Sequence, residues 1–175
     1  YSITTLGVYG LVQKVLGAPL TLIGGSIGQV FYQQAAKEKQ KTGKSIKAYN
    51  STLKKLISIG LPFFGVLFFV IEDLFAFVYG EEWRMGGVYA QILIPLYLIR
   101  FVVSPISAIN PVYLKNKLGL YWQVGLLALQ VIILYAANLY SIDFVYVLYL
   151  ISGVTGIYYV FYLYLINLYL RKGED

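Results

Sequence analysis

The chain has 175 residues, 59% of them hydrophobic and 17% aromatic, and only 13% charged against roughly 25% in a soluble domain. With no cysteine and no histidine, disulfides, thiolate chemistry, imidazole catalysis and metal sites built on those residues are excluded. The net charge of +6 is no sign of a nucleic-acid partner, because seven lysines crowd between Lys37 and Lys55, as suits a cytoplasmic membrane surface rich in anionic lipid.

Five apolar segments follow in order, at about residues 5–32, 56–79, 88–114, 118–139 and 144–170. At 1.5 Å rise per residue each can cross a hydrocarbon core of roughly 30 Å. The runs are continuous and do not alternate polar with apolar, which argues against a β-barrel. The expected fold is an all-α, polytopic membrane bundle of about five transmembrane helices.

The connections alternate in charge. The stretch 37–55 is basic, the turn "GEEWR" at Gly80–Arg84 is acidic, and Lys115 and Lys117 make the next turn basic. "YSID" at Tyr140–Asp143 has no basic residue, and the chain ends "LRKGED". By the positive-inside rule this places 37–55 and the C-terminus in the cytoplasm and the N-terminal end of this chain outside. Segment two then carries Glu72 about 16 residues, or roughly 24 Å, from its inner start. Glu72 and Asp73 fall near the outer boundary, and Glu81 and Glu82 in external water. Trp83 and Trp122 fit interfacial anchors.

Two readings of the basic stretch stand. Ile46, Tyr49, Leu53 and Leu56 recur at helical spacing, as in an amphipathic helix lying on the inner leaflet; the alternative is a solvated linker frayed at Gly43. In the first segment Gly24 and Gly28 lie one turn apart, a close-approach pattern. Pro19, Pro62, Pro95, Pro105 and Pro111 lie in or at the ends of spans. There they are expected to kink helices that pack on protein or a cavity.

Two cations are deep, Lys14 roughly 15 Å and Arg100 roughly 18 Å from the outer starts of their helices. A charge there costs at least about 2.5–3.5 kcal/mol and should face a cavity or a partner. A shared anion-binding cavity is one reading; an ion pair of Lys14 with Glu72 is the other. Gln13, Gln29, Gln91 and Asn110 are candidates for polar cavity lining, with interhelical packing as the alternative. The adjacent acids do not form a glycosidase dyad, and no phosphate loop, dinucleotide fingerprint or metal spacing occurs. An enzyme is not expected, and no cofactor is called for.

The stretch 72–109 contains G-E-E-W (Gly80–Trp83), Y-A-Q-I-L (Tyr89–Leu93) and R-F-x-x-S-P (Arg100–Pro105). It closely resembles the C-terminal half of bacterial oligosaccharide flippases of the polysaccharide-transporter (Wzx-type) family. "LGVYGLVQKVLGAPLTLIGGSIGQVFYQQAAK" is similar to that family's first C-lobe segments. The resemblance implies that residues 1–175 are the C-terminal lobe of a two-lobe exporter in a bacterial inner membrane. The N-terminal part is expected to be missing, since five spans are fewer than such a carrier uses. It further implies alternating-access transport of an undecaprenyl-diphosphate-linked oligosaccharide, an O-antigen, capsule or exopolysaccharide repeat unit. Lys14 and Arg100 would hold the diphosphate, and Glu72 would serve in an ion pair or gate. Polysaccharide polymerases and glycosyltransferases are the implied protein partners, beside membrane lipids. Tyr32-Gln33 stands where the family often has proline, so that helix is expected to be straighter. The competing functions are a cation-coupled multidrug exporter, which needs a central carboxylate, and a non-transporting subunit of a polysaccharide-assembly complex.

Overall fold

The computed structural model describes residues 2–172, and among them there is helix and no strand. Helix α1 (Ile3–Pro19) passes through a π-helical turn (Leu20–Gly24) into α2 (Gly25–Thr42). α3 spans Ile46–Tyr79, and a short 3₁₀ turn (Glu81–Trp83) leads into α4 (Arg84–Ile106). α5 is one turn (Ile109–Val112), followed by α6 (Asn116–Leu139) and α7 (Phe144–Lys172). Five helical runs are long and apolar enough to cross a membrane. The chain is a multi-pass membrane protein of all-α class.

Where the runs start and stop follows from local chemistry. The Ser2 hydroxyl accepts the Thr5 N–H at 3.1 Å and caps α1, satisfying one of the orphan donors of a helix start. Pro19 has no N–H to give to the ladder, and the register slips into the π turn directly after it. The Thr21 hydroxyl donates back to the Ala18 carbonyl at 2.9 Å. α2 ends at Gly43, whose φ of 73° is left-handed and returns its N–H to the Lys39 carbonyl, the usual glycine stop. Pro62 and Pro95 lie within the unbroken helices α3 and α4, whereas Pro105 stands one residue before α4 ends. Pro111 lies in α5.

The basic stretch 37–55 differs from both expectations. It is neither a linker nor a helix lying on the membrane, but the ends of α2 and α3 joined by a turn at 43–45. Tyr49, Thr52 and Leu56 are buried in the bundle, so the apolar stripe is spent on helix packing. The cause is Glu38. Its carboxylate accepts the N–H groups of Lys47 and Ala48 at 3.0 and 2.7 Å, a negative charge at the start of α3 where the helix dipole favours one. The buried Ser45 hydroxyl donates to the Ala35 carbonyl at 2.8 Å, closing the hairpin. Lys37, Lys41, Lys44, Lys47, Lys54 and Lys55 remain exposed. α2 continues as helix through Tyr32 and Gln33.

α4 is the central helix, packed against α3, α7 and α1. Its residues Ala90, Leu93, Tyr97 and Phe101 are buried, while Phe69, Phe77, Leu127 and Val131 on other helices point outward. An apolar exterior is what lipid as solvent permits, and it leaves packing to small residues at close crossings. Gly24 and Gly28 both lie against Pro105, where an added β-carbon would sit 3.5 and 3.4 Å from its atoms. The close-approach pattern in "GGSIG" is therefore used, by α4.

Trp122 is packed between helices and does not face outward. It is 7% exposed and lies between the rings of Tyr158 and Tyr162, at centroid distances of 3.7 and 4.2 Å. The indole joins α6 to α7. Trp83 stays partly exposed beside Tyr79.

Candidate functional site

Arg100 is the pivot of the interior. It projects from α4 and is partly buried, with its guanidinium 5.0 Å from the centre of the Tyr97 ring and 6.0 Å from that of Tyr159. Aromatic faces hold a cation without neutralising it. It makes no ion pair among the described residues.

Two cavities meet at this side chain. The first, of about 890 Å³, runs along α2 to α5 and is walled by Gly24, Gly28, Gln29, Pro105 and Asn110. The second, of about 700 Å³, lies among α1, α4, α6 and α7, with Gln13, Gln123 and Gln130 on its wall. Arg100, Ser104, Ser107 and Asn110 line both, so the two cavities share a polar seam. Among the described residues, neither has a carboxylate on its wall. A cation with no acid beside it is a position for an anion, and the planar fork of arginine suits phosphate oxygens.

The other candidate residues are distributed as follows. Gln13 lines the α6–α7 cavity, beside the Tyr9 hydroxyl. Gln29 lines the α2–α5 cavity. Asn110 is 6% exposed and is held by the hydroxyls of Tyr162 and Tyr169, so it braces the wall. Gln91 is elsewhere: it donates to the Phe68 carbonyl at 2.9 Å and borders a separate groove of about 300 Å³. Lys14 is exposed and lines neither cavity, being turned about 100° around α1 from Gln13. The structure thus groups Arg100 with Gln13, Gln29 and Asn110, and leaves Lys14 and Gln91 outside.

Glu72 does not pair with Lys14. Its carboxylate lies 3.3 Å from Arg84, which also meets Asp73 at 2.9 Å and Glu81 at 2.5 Å. Arg84 is the first residue of α4, directly after the turn that follows α3, and there Glu72, Asp73 and Glu81 all reach it. Glu82 stays out of the cluster.

Several functional residues were not singled out from the sequence. Gln123 and Gln130 occupy one face of α6 at i and i+7, a signal available in the pattern. Arg84 reads as a plain turn residue, and only the fold shows it gathering three acids. At the other end, Lys39 donates to the Val112 carbonyl at 3.2 Å and lies 4.2 Å from the centre of the Tyr113 ring, tying α2 to α5.

Residues 1–85 match a family described as "Polysaccharide biosynthesis protein". The chain is also 24% identical over 132 residues to the teichuronic acid biosynthesis protein TuaB of Bacillus subtilis (strain 168). That alignment covers 75% of this chain and 27% of the relative, so the chain spans about a quarter of the relative's length. No solved structure matches significantly. The two matches, one over the first helices and one over three quarters of the chain, support the resemblance carried by the G-E-E-W and R-F-x-x-S-P motifs.

Proposed function

We propose that this chain belongs to the polysaccharide-transporter family and is part of a flippase that moves a lipid-diphosphate-linked oligosaccharide across a bacterial inner membrane by alternating access. One observation carries the proposal: Arg100 has no ion-pair partner among the described residues and stands where two cavities meet, in a bundle whose outer surface is apolar. The diphosphate is the charged part of such a substrate. It costs most to take through a bilayer and gains most from a fixed cation with no acid beside it. The lipid tail needs no pocket of its own, because hydrocarbon surrounds the bundle.

The rearrangement has a place to occur. The π turn at Leu20–Gly24 follows Pro19 and borders both cavities through Leu20 and Thr21, and π turns recur at functional sites. The exposed lysines at the α2–α3 hairpin give a cytoplasmic surface that attracts anionic lipid, at about 1 kcal/mol for each lysine near the headgroups.

The distribution of acids weighs against a cation-coupled drug exporter. The membrane-level acids Glu72 and Asp73 are held by Arg84 at the end of α3, and among the described residues no carboxylate faces the cavities. The test is complementation of a flippase-deficient strain by the full-length gene with Arg100→Ala, scored beside membrane abundance. Loss of export at normal abundance is expected; wild-type export would overturn the proposal.

A further inference from the structure

The α6–α7 cavity holds chemistry that an anion alone does not need. Four helices each turn one face to it. α1 supplies Gln13, α6 supplies Gln123 and Gln130, and α7 supplies Thr155 and Tyr159, with Arg100 of α4 at the edge. Gln123 and Gln130 make no hydrogen bond with another described side chain or backbone group. Each amide offers both a donor and an acceptor. They stand about 10 Å apart along α6, and the cavity volume of about 700 Å³ lies within the usual range for a small-molecule site, about 300–1,000 Å³.

The wall is fixed before anything binds. Trp122 is clamped on both faces by Tyr158 and Tyr162, and the Tyr158 hydroxyl donates to the Trp122 carbonyl at 3.2 Å. Because both faces of the indole are covered, it cannot serve as a stacking platform for a ligand. Its role is to hold α6 and the adjacent Gln123 in register with α7. Two polar atoms in this wall, Trp122 Nε1 and Thr155 Oγ1, are sealed without a partner, and unmatched buried groups of this kind call for a reason beyond stability.

Paired donors and acceptors, no carboxylate and one cation at the edge describe a seat for a neutral, hydroxyl-rich ring joined to an anion. We infer that the α6–α7 cavity is a sugar subsite. It takes the neutral sugar next to the phosphate held at Arg100, and Gln13, Gln123 and Gln130 determine which sugar is accepted. This rests on the flippase reading above and adds to it the residues that read the saccharide. A hydroxyl that does not match these amides would leave donors or acceptors unpaired once the sugar covers them, which is how such sites discriminate.

The test uses the purified full-length protein and calorimetric titration with pyrophosphate, with a panel of neutral hexoses and N-acetylhexosamines, and with their 1-phosphates. Gln123→Met and Gln130→Met keep side-chain volume and remove the amide. The double variant should keep its unfolding temperature and pyrophosphate affinity, and lose at least tenfold in affinity for the preferred sugar phosphate. Arg100→Ala should lose pyrophosphate and keep the free sugar. If pyrophosphate fails to bind the wild type while a sugar binds and depends on the glutamines, the anion reading falls and the sugar subsite stands. Sugar-phosphate affinity within twofold of wild type in the double variant would overturn the inference, as would the absence of binding by every sugar and sugar phosphate.

Discussion

Gly87 lies directly against the main chain of Glu72, so that a β-carbon added there would collide with the Glu72 Cα and crowd the carbonyls of Ile71 and Glu72. At the neighbouring Gly86 an added β-carbon would meet the Phe75 ring and Val8 at 3.0–3.2 Å. Glycine at these two positions lets α4 approach α3 closely enough for Arg84 to reach Glu72 and Asp73. The atoms in the way at Gly87 are backbone, which cannot rotate aside. Gly87→Ala should therefore destabilise at the upper end of the overpacking range of about 1–3 kcal/mol. Gly65→Ala, with open space at its β-carbon, should change little. Unfolding temperature in detergent and membrane abundance would check both; equal behaviour of the two variants would refute the close packing.

The Arg84 cluster sets a second expectation. Arg84→Gln leaves Glu72, Asp73 and Glu81 facing one another without a cation, whereas Glu82→Gln removes a charge outside the cluster. The first should lower the unfolding temperature, and the loss should shrink in high salt, which screens exposed like charges. The second should leave unfolding and transport nearly unchanged. A salt-independent effect of Arg84→Gln would mean that packing, not charge, is what was lost.

Trp122 gives a third. Trp122→Ala empties the space between two tyrosine rings and should cost about 3–5 kcal/mol. Trp122→Phe keeps an aromatic ring in the sandwich and deletes the buried N–H that has no partner. Since a stranded donor carries a desolvation penalty of about 1–3 kcal/mol, the Phe variant should come close to wild type despite its smaller ring. A Phe variant as unstable as the Ala variant would show that Nε1 is hydrogen-bonded in the membrane.

Orientation is testable because the chain has no cysteine of its own. Single cysteines replacing Lys41 and Glu81, both exposed, should react differently with a membrane-impermeant thiol reagent on intact cells. Glu81→Cys should label and Lys41→Cys should not. Equal labelling or the reverse order would overturn the inside–outside assignment.

The sequence made the helix ends at the Gly80–Arg84 and Tyr140–Asp143 turns legible and those at the basic turn much less so. The ends of α3, α6 and α7 at Tyr79, Leu139 and Phe144 fall where expected, because a polar or glycine turn there meets the edge of an apolar run. At the basic turn the helices outlast their hydrophobicity. α2 continues to Thr42 and α3 begins at Ile46, held by a carboxylate nine and ten residues away in the chain, and hydropathy does not register a cap. Position along the helix was legible for Arg100, since counting residues gives it. Direction was not legible for Lys14. At equal depth, the side of the helix that faces a cavity depends on which neighbours pack there, and α4 settles that through Gly24, Gly28 and Pro105. The site's amides were missed on α6 for a related reason: a glutamine pair seven residues apart acquires meaning only once α6 is turned toward Arg100.

The last prediction concerns Arg100 itself. If the cavity needs positive charge at this depth, Arg100→Lys keeps the charge and loses the planar fork, so export should fall without vanishing. Arg100→Ala should reduce export by tenfold or more while the protein still inserts, because removing an unpaired charge from the membrane relieves an insertion cost. Lys14→Ala is the informative companion. Lys14 lines neither cavity, so its loss should cost less export than the loss of Arg100, although the sequence places both at similar depth. Export in the complemented strain, normalised to membrane abundance, ranks the three. The order wild type, Arg100→Lys, Arg100→Ala would support a charge-dependent anion site, with Lys14→Ala near wild type. Equal loss in Lys14→Ala and Arg100→Ala would mean that the two cations share a substrate path that these helices alone do not enclose.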